Sequence, residues 1–245
     1  MRQLILVMSK SSCVVPSWVS DPMEIRRTAN AGVLLKLDGV SILLDGVCQE
    51  VIPYLATPPE ERKGLSESWP DVLGFTHRHK DHYDPGFAAD FQKQTNGVIL
   101  GPADISGCNT TFAPVNIGGI SIMSVESRHI GKTEDGLGHL SFILEGSVCV
   151  WFLGDASPAQ WRKKNDLPCP DILMVPYAYA ITPSAWELTK SLGAKTVVLL
   201  HLPEKDRDAC HLWTAVHTTT QDSPGPILLI PEMGETLQIS HNFCV

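Results

Sequence analysis

The sequence predicts a mixed α/β (α+β) fold in which two β-sheets lie face to face between outer helices. Short strand-like segments bounded by Gly, Pro, Asp and Asn recur along the 245 residues. Three apolar runs, 148–153, 172–176 and 196–200, are continuous rather than alternating, as expected of strands covered on both faces. Helical stretches separate some of the strands, so that each sheet can be covered on its outer side.

Residues 4–8 and 13–19 read as strands limited by Pro16 and Pro22. The first hairpin is predicted over residues 30–37 and 40–45. Asp38-Gly39 sits between two apolar stretches, and a two-residue turn of that kind needs positive φ. Asp45 closes the second strand. From 46 to about 69 a helix and a loop are expected, broken by Pro53, Pro58 and Pro59, with residues 60–63 solvated. Asp71 to Phe75 reads as a short buried strand. A helix is predicted from Pro85 to Lys93, then strands over 97–102, 112–115, 120–125, 140–144 and 148–153. Residues 172–176 form a further buried strand, and 184–192 a helix stopped by Gly193. The strand 196–200 runs directly into His201, and 227–231 is expected to be the last strand. No repeat of fixed period, linker or low-complexity segment interrupts the chain, which predicts a single domain over 1–245.

A formal net charge of −8, from 19 basic and 27 acidic residues, offers no general attraction to nucleic acid or anionic membranes. The basic spots Arg26-Arg27 and Arg162-Lys163-Lys164 read as solvated surface. Seven cysteines are scattered without a CxxC pair, which suits a reducing cytoplasm rather than a disulfide framework. The apolar run at 4–8 is too short for a signal sequence, and no run is long enough to cross a bilayer. The expectation is a cytoplasmic protein acting on a small molecule, with its oligomeric state open.

Residues 76–83, Thr-His-Arg-His-Lys-Asp-His-Tyr, concentrate three imidazoles and one carboxylate within six positions. These are the ligand types that divalent transition metals prefer. Side chains two apart in an extended chain share a face, so His77 and His79 should emerge together at a strand end. Asp81 and His82 follow in a turn and can aim at a second nearby point. His77, Asp155 and His201 each come after an apolar strand. Groups at the carboxyl ends of strands are held by rigid scaffold yet remain reachable.

The stretch THRHKDHYD resembles the HxHxDH motif of the metallo-β-lactamase superfamily. The hairpin ending in Asp45, the later His129, the Gly154-Asp155 pair and the strand ending in His201 are similar to that family in order. The resemblance spans about residues 30–231 and implies a four-layer αββα sandwich with a binuclear metal centre at its edge. It implies two divalent metal ions, zinc first, with iron or manganese as alternatives. His77 and His79 would serve the first metal, and Asp81, His82 and His201 the second, with Asp155 bridging both. The third ligand of the first site is His129 or His139, and His129 is favoured. His139 would then be a pocket residue or a hydrogen-bonded strand histidine. Asp45 either supports the site from behind its ligands or caps a turn. Tyr83 and Tyr177 are further pocket candidates, whereas His211, His217 and His241 read as surface.

The function so implied is a metal-dependent hydrolase using a hydroxide activated between two metals, with Asp81 and Asp155 as catalytic residues. Its substrate would be a small ester-like molecule, a phosphodiester or lactone. Only 45 residues separate Asp155 from His201, and 44 follow His201. That leaves no room for the large inserted domain of nucleic-acid-cleaving relatives, and it looks closest to the small branch that includes UlaG-type lactonases. The alternatives are an iron-dependent redox enzyme on the same scaffold or a non-catalytic metal-binding protein. Iron–flavin relatives carry glutamate where this chain has His79, and a complete ligand set argues against decay.

Overall fold

The computed structural model describes residues 22–131, 136–163 and 166–239. The strands expected at 4–8 and 13–19, and His241, lie outside the described residues. In chain order the first strands are β1 Met23–Arg27, β2 Val33–Leu37, β3 Val40–Leu44, β4 Val72–Gly74 and β5 Val98–Leu100. There follow β6 Val115–Ile117, β7 Ile120–Glu126, β8 Leu140–Glu145 and β9 Cys149–Phe152. The last are β10 Ile172–Pro176, β11 Thr196–Leu200, β12 Ile227–Leu229 and β13 Thr236–Ile239. Four α-helices accompany them: α1 Pro59–Glu67, α2 Pro85–Thr95, α3 Pro183–Ser191 and α4 Leu212–Thr220.

The strands form a six-stranded sheet, order β13-β1-β2-β3-β4-β5, and a seven-stranded sheet, order β12-β11-β10-β9-β8-β7-β6. Their facing sides share one apolar interior that includes Leu35, Ile42, Phe142, Phe152 and Met174. On the outer side of the first sheet, Leu43, Leu73 and Phe75 pack with Leu65 of α1 and Phe87 and Phe91 of α2. On the outer side of the second, Trp151, Leu173 and Leu199 pack with Trp186 of α3 and Val216 of α4. The result is an αββα sandwich. A fully buried Leu, Ile or Phe contributes roughly 1.5–3 kcal/mol, so these three apolar layers dominate cohesion.

The Asp38-Gly39 hairpin forms with Leu37 opposite Val40, and both turn residues have positive φ, 49° and 82°. Several expectations need correction. Pro59 does not break a helix but opens α1 at its first turn, where its missing N–H costs nothing. Residues 60–63 belong to that helix, and Glu61 and Arg62 are ion-paired, to Arg26 and to Asp84 (3.0 Å). The strand expected over 112–115 lies at Val115–Ile117. The chain does not close on 227–231, because β13 follows and pairs antiparallel with β1. Neither β1 nor α4 was anticipated. Arg27, read as solvated, is 4% exposed.

Strand direction is what gathers the functional edge. β3, β4 and β5 run parallel in one sheet, and β9, β10, β11 and β12 run parallel in the other. Two antiparallel steps, β7 to β8 and β8 to β9, return β7 to the direction of β9. The carboxyl ends of β7, β9 and β11 therefore lie on the same edge as the start of β8. Two backbone bonds join this edge to the other sheet: Leu140 N to Thr76 O at 2.8 Å, and His201 N to Asn30 O at 3.2 Å.

Candidate metal centre

His77 follows β4, and His79, two residues on and before the turn at 80–82, shares its side, so that His77 Nε2 and His79 Nδ1 are 3.0 Å apart. His129 joins them from the segment after β7. That segment is fixed beside Asp155 by bonds from Ile130 N to Asp155 O (2.8 Å) and from Ser157 N to Arg128 O (2.6 Å). One donor atom from each of His77, His79 and His129 falls within 4.8 Å of the others.

Asp81, His82 and His201 form a second group by the same measure. His201 Nε2 is 3.1 Å from His82 Nε2 and 3.3 Å from Asp81 Oδ2. Asp155 stands between the groups. Its Oδ2 lies 3.5 Å from His129 Nε2 on one side, and 3.4 and 3.5 Å from His82 and His201 Nε2 on the other.

Neighbouring groups decide which ring nitrogen is free in four of the imidazoles. Asp45 is completely buried and accepts from Thr76 N at 2.7 Å and from Thr76 Oγ1 at 2.6 Å. Thr76 Oγ1, having donated, can accept from His77 Nδ1 at 3.0 Å, which leaves the His77 Nε2 lone pair facing the group. His82 Nδ1 donates to Asp45 Oδ2 at 2.8 Å with the same consequence. His129 Nδ1 is 2.6 Å from the Ile130 carbonyl, so its Nε2 is the free atom as well. The Asn30 amide lies 3.3 Å from His201 Nδ1 and, with its oxygen turned inward, would accept that N–H.

His139 sits just before β8 and is 3% exposed. Its Nδ1 is 2.7 Å from Ser127 Oγ, which is 3.0 Å from Ser141 Oγ, which donates to Leu153 O at 3.0 Å. Burial pushes its pKa down to about 3, so the ring is neutral. It stacks beside His77 with ring centres 4.9 Å apart, but it belongs to neither donor group.

The electrostatics of the two groups differ. Burial, then the neighbouring imidazoles, holds His77 well below the ordinary histidine value, and His79 is lowered for the same reasons. Burial also disfavours charge on His82, but Asp155 and Asp45 outweigh it and leave the ring well above its ordinary value. Burial works against the Asp155 carboxylate too, yet His201 and His82 hold it well below the usual range. Asp81 is likewise lowered, with the bond to His201 overcoming burial.

These side chains fit divalent cations. Zn–N and Zn–O distances of about 2.0–2.1 Å in a tetrahedron imply donor separations of about 3.3 Å, close to those observed. His129 Nε2 and Asp155 Oδ1 are buried without a hydrogen-bond partner, a costly arrangement for lone pairs unless a cation meets them. Nitrogen and carboxylate donors with no thiolate among them suit zinc, iron or manganese.

Every residue named from the sequence as a ligand, His77, His79, Asp81, His82, His129, Asp155 and His201, is at this edge. Tyr83 is not: its ring packs on Phe75, 4.9 Å between centres, on the α2 side of the first sheet. Tyr177 is near the second group, 6.0 Å from His201. His211 and His217 are exposed. Sequence reasoning missed Tyr54, whose ring stands edge-on to His201 at 4.4 Å, and also Asn30, Thr76 and Ser127. Thr76 adjoins the motif and could have been found there; the others carry no local signal.

Comparison with known proteins follows the same lines. The profile described as "Beta-lactamase superfamily domain" matches residues 24–201. A UPF0173 metal-dependent hydrolase of Methanopyrus kandleri is 30% identical over 111 residues, 45% of this chain and 41% of that protein. The match thus spans under half the length of that relative. The solved structure of Igni18, described as a metallo hydrolase of Ignicoccus hospitalis, superposes with a TM-score of 0.66 at 19% identity. That superposition covers 89% of this chain and 98% of Igni18. CmlA, a diiron β-hydroxylase of Streptomyces venezuelae, gives 0.65 at 14% identity over 89% of this chain and 54% of its own. At such identities the two structures show a shared fold.

Proposed function

The chain belongs to the beta-lactamase superfamily, and from that membership and the donor geometry we propose that it is a metal-dependent hydrolase with two cation sites. His77, His79 and His129 would hold one ion, Asp81, His82 and His201 the other, and Asp155 both. Bound there, two divalent cations, zinc in our reading, supply a water acidified toward neutral pH and polarise the oxygen of the bond to be cleaved. Asp81, kept ionised beside His201, accepts a hydrogen bond from the attacking water and aims its lone pair. Asp45 and Thr76 hold the ring planes of His82 and His77, so that little reorganisation is needed as charge develops. No serine or cysteine nucleophile is invoked.

The observation that carries this reading is the position of Asp155 Oδ2, within 3.4–3.5 Å of nitrogens from both histidine groups. The substrate proposed is a small ester-like molecule, a lactone or phosphodiester; the net charge of −8 argues against nucleic acid. Among the described residues no helix is long and apolar enough to cross a membrane. Five described cysteines are unpaired, which supports a cytoplasmic setting.

The test combines metal analysis of natively purified protein with an activity screen on lactones, thioesters and phosphodiesters. His77→Ala, Asp155→Ala and His201→Ala should each lose metal and at least about a hundredfold in turnover. Variants that kept both would end the proposal. Stoichiometric iron without zinc would move the assignment to redox chemistry on the same scaffold.

A further inference from the structure

Between β3 and α1 the chain makes a loop whose base is tied and whose tip is apolar. Cys48 N donates to Thr57 Oγ1 at 2.9 Å and Thr57 N to Cys48 O at 3.2 Å, closing the base. Gln49 N donates to Lys80 O at 2.7 Å, which fastens the loop to the turn carrying His79 and Asp81. Val51 and Tyr54 exchange backbone bonds of 3.1 and 2.7 Å across the tip. Such anchoring makes the loop a fixed feature of the rim.

The tip, Val51-Ile52-Pro53-Tyr54-Leu55, carries no charge. Ile52 is 85% exposed, with Val51 at 37% and Leu55 at 36%. These are three of the five large hydrophobic side chains exposed among the described residues. An isolated exposed apolar residue needs no explanation, but a contiguous group beside a functional centre does. Continuity with that centre is direct: the Tyr54 ring stands edge-on to His201 with ring centres 4.4 Å apart.

We propose that this loop is the substrate-recognition lip of the centre and takes an alkyl or acyl chain attached to the bond being hydrolysed. The inference rests on the metal-hydrolase reading above and narrows it: a lactone or ester with an apolar flank is favoured over a phosphodiester. A charged flank would find no partner on the tip, whereas each methylene laid against Ile52 and Val51 leaves water.

The test is calorimetric titration of the zinc-loaded full chain with straight-chain hydroxamic acids from acetohydroxamate to octanohydroxamate. The head group chelates metal and the tail probes the lip. For tails half-buried on the loop, affinity should rise about twofold for each methylene, or about sixtyfold from the shortest to the longest. In Ile52→Ser, an exposed position whose replacement leaves the core intact, that ratio should fall below about tenfold. A flat series in the wild type, or an unchanged ratio in the variant, overturns the lip. An unchanged ratio together with a shift from dimer to monomer would assign the loop to a subunit contact instead. Absence of any acetohydroxamate binding defeats the metal centre itself, and the lip with it.

Discussion

His82 Nδ1 donates to Asp45 Oδ2 at 2.8 Å, and neither side chain has any exposed surface. The same carboxylate takes both polar hydrogens of Thr76, so one aspartate orients His82 directly and His77 through a hydroxyl. Asn at this position offers one acceptor oxygen where three donors converge. Asp45→Asn should therefore weaken binding of the second cation by about 10–100-fold, read by zinc titration against a competing chelator. Wild-type affinity in that variant would show that Asp45 is merely a turn residue.

Cations compete with protons for imidazole nitrogen, and the two groups start from opposite protonation preferences. His77 and His79 are lowered and stay neutral on mild acidification, so protons barely contest these two rings of the first group. His82 is raised and must surrender a proton before its Nε2 can bind. Below that raised value, affinity at the second group should fall about tenfold per pH unit for a one-proton exchange. On lowering pH from 8 toward 6, the ion held by His82 should leave first. Cobalt substitution followed by absorption spectroscopy would show the order, and loss of the three-histidine ion first would contradict it.

Arg27 is a buried cation whose close partners are carbonyls rather than carboxylates. It donates to Ala29 O (3.3 Å), Asn30 O (3.4 Å), Leu202 O (3.2 Å) and Pro231 O (3.1 Å), while Glu204 is 4.0 Å away. Asn30 O also receives His201 N, and Leu202 directly follows His201, so the guanidinium clamps the loop that presents this imidazole. Arg27→Met leaves these acceptors unmet, at about 1–3 kcal/mol for each one kept from water. Urea denaturation should register that loss, and the second cation should be lost preferentially. Equal weakening of both ions would mean a general structural role.

Gly154 has φ of 52°, and a Cβ there would lie 2.6 Å from Thr76 Cγ2 and Oγ1. Gly154→Ala should cost about 2 kcal/mol or more in unfolding free energy, through the left-handed backbone and the clash together. A thermal shift within error of wild type would show that the two sheet edges can move apart to admit a methyl group.

Much of the centre was legible because its densest part is contiguous: His77, His79, Asp81 and His82 are neighbours in sequence. Asp155 and His201 were legible because each follows a continuous apolar strand. What failed was whatever depends on distant partners. β1 alternates as Met23-Glu24-Ile25-Arg26-Arg27, with Arg27 facing inward, so its last inward position reads as surface until the carbonyls around it are known. β13 is a strand because β1 offers it an edge. Tyr54 sits in a proline-rich stretch with no periodicity, and only the fold brings it to His201. His129 follows β7 and His139 precedes β8, and although the resemblance favours His129, it takes three-dimensional direction to show one nitrogen facing Asp155 and the other ring tied to Ser127.

The donors are divided between the halves of the sandwich, with His77, His79, Asp81 and His82 on one and His129, Asp155 and His201 on the other. Neither half owns a complete set, so a cation can be gripped tightly only after the halves have closed on each other. Tight loading would then come late in folding, and a bound ion would clasp the finished assembly. Stripping the ions should lower resistance to heat and proteases even though every apolar contact remains.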